Sequence, residues 1–344
     1  MAPPPLPVVD CHGRPLRSLR ISVTDRCNLR CSYCMPEADY LWLPKRELLE
    51  FGEVERLVDR FVEVGVDRVR LTGGEPLLRR DLHVLVAALA SRRDLREVAL
   101  TTNGMLLADQ AEALAEAGLS RLTVSLDTLD AERFERLTRK RGLDAVLEGI
   151  ASARRAGLAD GLKIDSVVMA GVNDDELETL LAYGRDVGAE VRFIEYMDVG
   201  GATQWAEERV FSRARILERL APLGPVPLAG RGSAPAERFR LADGSTFGII
   251  ASTTTPFCGA CDRSRLTADG TWYHCLYARA GIDLKTPLRA GANDDALRDR
   301  IRAAWQARSD RGAETRLHLR DRGALIPVDA LRADPRLEMH TRGG

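Results

Sequence analysis

Seven cysteines occur in the 344 residues, and six of them fall into two bunches: Cys27, Cys31 and Cys34 near one end, Cys258, Cys261 and Cys275 near the other, with Cys11 alone. An odd, bunched set favours metal ligation over disulfides. The first set, Thr24-Asp-Arg-Cys27-Asn-Leu-Arg-Cys31-Ser-Tyr-Cys34-Met-Pro36, is a C-x3-C-x2-C run. Three thiolates cannot complete a tetrahedral structural zinc site alone, but they can hold three irons of a [4Fe–4S] cluster and leave the fourth open. In isolation the spacing serves zinc as readily. The second set, C-x2-C-x13-C, is again one ligand short. His274 could complete a zinc half-site, yet it adjoins Cys275, and neighbours in a strand point to opposite faces. Between these cysteines runs Asp262-Arg263-Ser264-Arg265, whose two arginines share a face if the run is extended. Guanidinium forks suit phosphate oxygens. A third motif, Thr72-Gly73-Gly74-Glu75-Pro76, has two glycines that let the backbone come close to a ligand.

These groups need a frame. From about residue 18 to 197, short β-branched runs alternate with amphipathic stretches, as in βα units around a parallel sheet. Strands are expected at Leu19–Val23, Asp67–Leu71, Glu97–Thr101, Arg121–Leu126, Ile164–Met169 and Val191–Glu195. Six such units make an incomplete (β/α)6 TIM-type barrel, with the first cysteine loop and the glycine pair at the strands' C-terminal ends, where barrels assemble chemistry. One strand face is polar (Arg68 and Arg70; Thr123, Ser125 and Asp127), while Val69, Leu71, Leu122, Val124 and Leu126 occupy the other. A polar lumen implies that something other than side chains fills it; the alternative is a sheet with one solvated face. The texture changes after Met197, which divides the chain into a barrel, residues 1–200, and a cluster-binding C-terminal extension, residues 201–344. The extension is expected to hold a helix near Arg213–Leu220, hairpin turns at Asp243-Gly244 and Asp269-Gly270, a long helix at Asp294–Arg308 and a polar chain to Gly343-Gly344. The stretch from Pro222 to Pro235 has no evident role.

Composition narrows the class. With 50 Lys+Arg against 51 Asp+Glu and 45% apolar residues, the chain is globular and is no bulk-electrostatic nucleic-acid binder. No secretory leader or membrane span is evident, so a cytoplasmic protein is expected. Only four of the basic residues are lysines, among them Lys163. Cys11 reads as an inert, partly buried thiol.

The C-x3-C-x2-C loop followed one βα unit later by Gly73-Gly74-Glu75-Pro76 resembles the radical S-adenosylmethionine (SAM) superfamily. With the second cysteine set and the closing Gly-Gly, nearly the whole chain resembles the GTP 3′,8-cyclase family, which opens molybdopterin (molybdenum cofactor) biosynthesis. The shared segments include Leu19-Arg20-Ile-Ser-Val-Thr-Asp-Arg-Cys27, Thr101-Thr-Asn-Gly104, Ser125-Leu-Asp127 and Lys163-Ile-Asp165. His12 after Cys11 departs from the pattern. The resemblance implies two [4Fe–4S] clusters, one on Cys27, Cys31 and Cys34 and one on Cys258, Cys261 and Cys275. It implies SAM held near Tyr33, Gly74, Ser125 and Met197. GTP falls to Arg20, Arg70, Thr101, Lys163, Arg263, Ser264 and Arg265, with Arg68 and Arg192 as further candidates from their strand faces. Gly343 and Gly344 are implied to thread into the active site. The implied reaction removes the C3′ hydrogen of GTP, joins C3′ to C8, draws on an external one-electron donor and passes its product to the next enzyme of the pathway; the protein is monomeric or a homodimer and needs no nucleic acid or membrane. The competing readings are a radical SAM enzyme with a peptide substrate, and a two-cluster electron carrier or zinc-binding module.

Overall fold

The computed structural model describes residues 7–343, so residues 1–6 and Gly344 lie outside the described residues. The chain begins with a regular alternation: β1 (Ser18–Ser22), α1 (Phe51–Glu63), β2 (Arg68–Thr72), α2 (Leu82–Ala90), β3 (Glu97–Thr102), α3 (Ala111–Glu116), β4 (Arg121–Ser125), α4 (Ala131–Thr138), α5 (Leu143–Arg155), β5 (Lys163–Val168), α6 (Leu177–Val187) and β6 (Glu190–Glu195). Each strand lies within a residue of its expected bounds. Local signals explain the helices: α1 starts in a capping box between Glu50 and Glu53 and buries Val54, Leu57, Val58 and Phe61, spaced three and four apart.

The second half adds α7 (Arg213–Arg219), β7 (Val226–Pro227), β8 (Glu237–Arg240), β9 (Thr246–Ile250), β10 (Arg263–Leu266), β11 (Thr271–Tyr273), β12 (Ile282–Asp283), α8 (Lys285–Arg289), α9 (Asp294–Gln306), α10 (Gly312–Leu317), α11 (Val328–Ala333) and α12 (Met339–Arg342). Both expected hairpin turns form, between β8 and β9 and between β10 and β11. The polar chain expected after α9 instead folds into three short helices.

All strands join one sheet in the order β12-β11-β10-β1-β2-β3-β4-β5-β6-β9-β8-β7. The six-stranded partial barrel is thus longer than its own six units, because β10 pairs in parallel with β1 and β9 in parallel with β6. Leu19, Ile21, Val69, Leu71, Leu122 and Val124 pack outward in the main core. The opposite face puts arginines side by side: Arg20 is in register with Arg265 on one neighbour and with Arg70 on the other. Neighbouring strands are only about 4.8 Å apart. Among the described residues, no helix is long and apolar enough to cross a membrane.

Candidate active site

A cavity of about 450 Å³ occupies the lumen, and all six bunched cysteines line it. Strand direction sets their places. Cys27, Cys31 and Cys34 follow the C-terminal end of β1, whereas Cys258 and Cys261 precede β10, which runs parallel to β1, and Cys275 follows the antiparallel β11. The two triplets therefore face each other across at least one strand length, roughly 15 Å at ~3.3 Å per residue.

The first loop is fastened to the C-terminus of α4: Arg30 and Ser32 amides donate to the Thr138 and Leu137 carbonyls, both at 2.9 Å. Arg139, in the left-handed region at φ 55°, reaches the Pro36 carbonyl at 2.8 Å. On the other side the glycine pair is zippered to the same loop, since Gly74 donates to the Thr24 carbonyl at 2.9 Å and Glu75 to that of Arg26 at 2.7 Å. A Cβ on Gly74 would stand 2.4 Å from the Arg26 oxygen, so only glycine permits this approach. Burial pushes the Cys27 thiol up to about 11 and raises those of Cys31 and Cys34 strongly, with Cys27 and Cys34 adding to the rise at Cys31 and Cys27 to that at Cys34. Left free they keep their protons; iron binding requires thiolates and would displace those protons. This half-buried trio facing an open lumen fits a three-cysteine cluster site. No three His, Cys, Asp or Glu side chains converge on a single metal ion among the described residues. Cluster cysteines need not converge, because each binds its own iron.

Tyr33, Gly74, Ser125 and Met197 all line the cavity. Tyr33 is fixed by its hydroxyl, which donates to Asp127 Oδ2 at 2.6 Å, while Oδ1 accepts from the Val167 amide at 2.8 Å. Burial lifts the Asp127 carboxyl to about 6 against these hydrogen bonds. Two further residues stand in the recognised motifs without an expected role. Buried Glu75 accepts from Thr102 Oγ1 and the Asn103 amide, both at 2.7 Å, and Asn103 Nδ2 donates to Cys27 Sγ at 3.9 Å. They tie the glycine motif and the β3 end to the cysteine loop.

At the other end, Arg14 holds the Cys258 carbonyl at 3.0 Å and Arg308 that of Cys261 at 3.1 Å. Burial raises the Cys258 and Cys275 thiols, Cys275 to about 11. For Cys261, burial is outweighed by the Arg263 and Arg308 guanidiniums, and its thiol falls below the ordinary value. His274 packs edge-on against Trp272 at 4.3 Å and also lines the cavity. Cys11 is exposed, which corrects the expectation of partial burial; it precedes β1 on the surface, and its thiol donates to the Arg308 carbonyl at 2.9 Å.

Of the residues assigned to a nucleotide, Arg20, Arg70, Thr101, Arg263 and Arg265 line the cavity, as do Arg68 and Arg192. Arg70 is tied to Thr101 and Thr123 hydroxyls at 3.1 Å, Arg68 to Asp262 and Arg192 to Glu190. Arg20, Arg263 and Arg265 have no ion-pair partner among the described residues. Burial and then the neighbouring Arg265, Arg70 and Arg263 charges push Arg20 well below the ordinary guanidinium value; burial and Arg263 push Arg265 down to about 10. Two of the assigned residues do not line the cavity. Ser264 is buried beside Leu19 on the outward face, because it alternates with the two arginines, so its hydroxyl does not reach the lumen. Lys163 shares a strand face with Asp165 and Val167 but is not among the residues that line the cavity, and its ammonium stands 3.9 Å from Glu190. Burial, then Arg192 and Arg121, lower its ammonium to about 8.

The C-terminal segment closes on the same space. Arg342 is sunk among the carbonyls of Arg336, Leu276 and Ala278 at 2.6–3.0 Å, with its guanidinium 4.2 Å over Tyr273. Gly343 follows at φ 72°, its carbonyl accepting from Arg265, and a Cβ there would lie 2.3 Å from Thr72 Cγ2. Gly344 lies outside the described residues.

The chain matches the Radical SAM superfamily over residues 21–183 and the Molybdenum Cofactor Synthesis C family over residues 189–314. It is 54% identical to GTP 3′,8-cyclase 1 of Mycobacterium tuberculosis, over 100% of this chain and 98% of that protein. It is 48% identical to GTP 3′,8-cyclase of Acidothermus cellulolyticus, over 90% of this chain and 89% of that one. Among solved structures, Streptococcus suis SuiB bound to S-adenosylmethionine shares the fold, with a TM-score of 0.62 at 16% identity over 90% of this chain and 70% of that one. With such identity along its full length, and with paired cysteine triplets at the two ends of one basic lumen, the chain belongs to the GTP 3′,8-cyclase family of radical SAM enzymes.

Proposed function

We propose that this protein converts GTP to 3′,8-cyclo-7,8-dihydro-GTP, the first step of molybdenum cofactor assembly. The observation that carries this reading is the set of three arginines, Arg20, Arg263 and Arg265, half-buried between two cysteine triplets in one cavity and without an ion-pair partner among the described residues. Clustered like charges without paired counter-ions are costly, and a triphosphate brings about four negative charges to offset them. Cys27, Cys31 and Cys34 are suited to hold a [4Fe–4S] cluster, and Cys258, Cys261 and Cys275 to hold a second. When bound, the first cluster and SAM supply one-electron cleavage to a 5′-deoxyadenosyl radical.

The chain's own work is then placement. Tyr33, fixed by Asp127, and the Gly74 backbone line the end where SAM would bind. The arginines of β1 and β10 anchor the triphosphate, so the ribose C3′ and base C8 can be kept close for bond formation. Gly343, held by Arg265, brings backbone rather than a side chain to the same space. The electron comes from an external donor, and the charged product passes onward to the next enzyme. The test is anaerobic reconstitution with iron, sulfide and dithionite, then incubation with SAM and GTP. Mass analysis should find 5′-deoxyadenosine and a cyclised nucleotide together; 5′-deoxyadenosine with GTP left intact would refute the reading.

A further inference from the structure

The β7–β8 connection, part of the Pro222–Pro235 stretch without an evident role, folds over the lumen, and Ser233, Ala234 and Pro235 line the cavity beside the second cysteine triplet. Gly230 and Gly232 have φ of 89° and 54°, and a Cβ on either would meet nothing within 4 Å, so the loop's path is set by backbone conformation and by a few polar contacts. Those contacts are specific. Ser233 Oγ donates to Asp262 Oδ2 at 2.6 Å, the Ser233 carbonyl accepts from Arg263 Nη1 at 2.9 Å, and the same Asp262 oxygen holds Arg68 Nη2 at 2.5 Å. Arg231 and Arg263 both stand 4.8 Å over the Phe257 ring.

Asp262 is the unexpected member. Its carboxylate lines the cavity beside Arg263 and would repel a polyanion there, which makes it a poor ligand for one. It is well placed to aim cations. A guanidinium has five donors, so Arg68 and Arg263 keep N–H groups free for phosphate after meeting Asp262 and Ser233. Fixing two long side chains before the substrate arrives lowers the ordering cost of binding.

We propose that Ser233 and Asp262 are positioning residues for the nucleotide: they act through Arg68 and Arg263, fixing both guanidiniums and holding residues 230–235 as the wall over that end of the lumen. This inference rests on the GTP reading above.

The test uses the reconstituted full-length holoenzyme with GTP and SAM. Ser233→Ala should raise KM for GTP about three- to ten-fold, the size of one lost hydrogen bond, while kcat changes less than two-fold. Ser233→Thr, which keeps the hydroxyl, should restore the wild-type KM. Asp262→Asn should also raise KM, and the double variant should be no worse than the weaker single, because both act through one network. Iron content and SAM cleavage without GTP serve as fold controls. An unchanged KM in Ser233→Ala, a fall in KM in Asp262→Asn, additive effects, or loss of kcat and iron together would each overturn the inference. A wild-type holoenzyme that cleaves SAM but leaves GTP intact would overturn the GTP reading itself, and this inference with it.

Discussion

Arg20→Ala separates a substrate anchor from a structural residue. Arg20 lies at the centre of β1, half-buried and flanked in register by Arg265 and Arg70, and no carboxylate forms an ion pair with it among the described residues. Removing it relieves a like-charge contact, and the space it leaves opens into the existing cavity. Without GTP, the variant should therefore be as stable as the parent to within about 1 kcal/mol. GTP binding should suffer. One or two charge-assisted hydrogen bonds to phosphate are worth about 1.5–3 kcal/mol, which weakens Kd by roughly 10- to 150-fold. At a GTP concentration 100 times the parent Kd, ligand stabilises the parent by about 2.7 kcal/mol but a 100-fold weaker variant by only ~0.4. For a chain of this length that is a Tm rise of about 4 °C against ~0.5 °C. Anaerobic calorimetry with and without GTP reads both quantities. A GTP-free loss above about 2 kcal/mol, or an undiminished GTP-induced shift, would refute the reasoning.

Gly343→Ala would force a Cβ to 2.3 Å from Thr72 Cγ2 in a left-handed backbone, so the terminal segment should leave its seat beside Arg265; GTP turnover should fall more than ten-fold while iron content holds, and wild-type turnover would contradict this. Lys163 titrates near 8, so its charge is lost as pH rises through that value and KM for GTP should climb between about pH 7.5 and 9. Lys163→Arg, which stays cationic, should flatten that rise; identical profiles would show that Lys163 does not act on the nucleotide. Cys261→Ser should reduce iron from about eight to about four per chain and abolish cyclised product while SAM cleavage persists, as measured by iron assay and chromatography. Retention of all iron would remove the second triplet from cluster binding.

Much of the frame is written locally in the sequence. Strands β1–β6 follow from β-branched runs with alternating polar and apolar faces, and Arg68, Arg70, Thr123 and Asp127 do face a shared lumen. What escapes a local reading is pairing between distant segments. Nothing near Arg263–Leu266 says that it will lie parallel to Ser18–Ser22, yet that pairing sets Arg265 beside Arg20 and brings the second triplet to the opposite mouth. Ser264 is a different case, since the alternation that puts Arg263 and Arg265 inward already turns its hydroxyl outward. Lys163 has the expected face but stands at the very start of β5, a height that a face pattern cannot tell. Glu75 and Asn103 stand inside legible motifs, but their bonds to the cysteine loop depend on β2 and β3 ending at one level. Ser233 has no sequence signal at all; its role comes from a glycine-flanked loop reaching Asp262 across the sheet.

The most direct test of the central claim uses GTP carrying deuterium at C3′, turned over once by the reconstituted enzyme with unlabelled SAM. The account predicts 5′-deoxyadenosine one mass unit heavier and a cyclised nucleotide that has lost the label. Unlabelled 5′-deoxyadenosine alongside GTP that keeps its deuterium would contradict it.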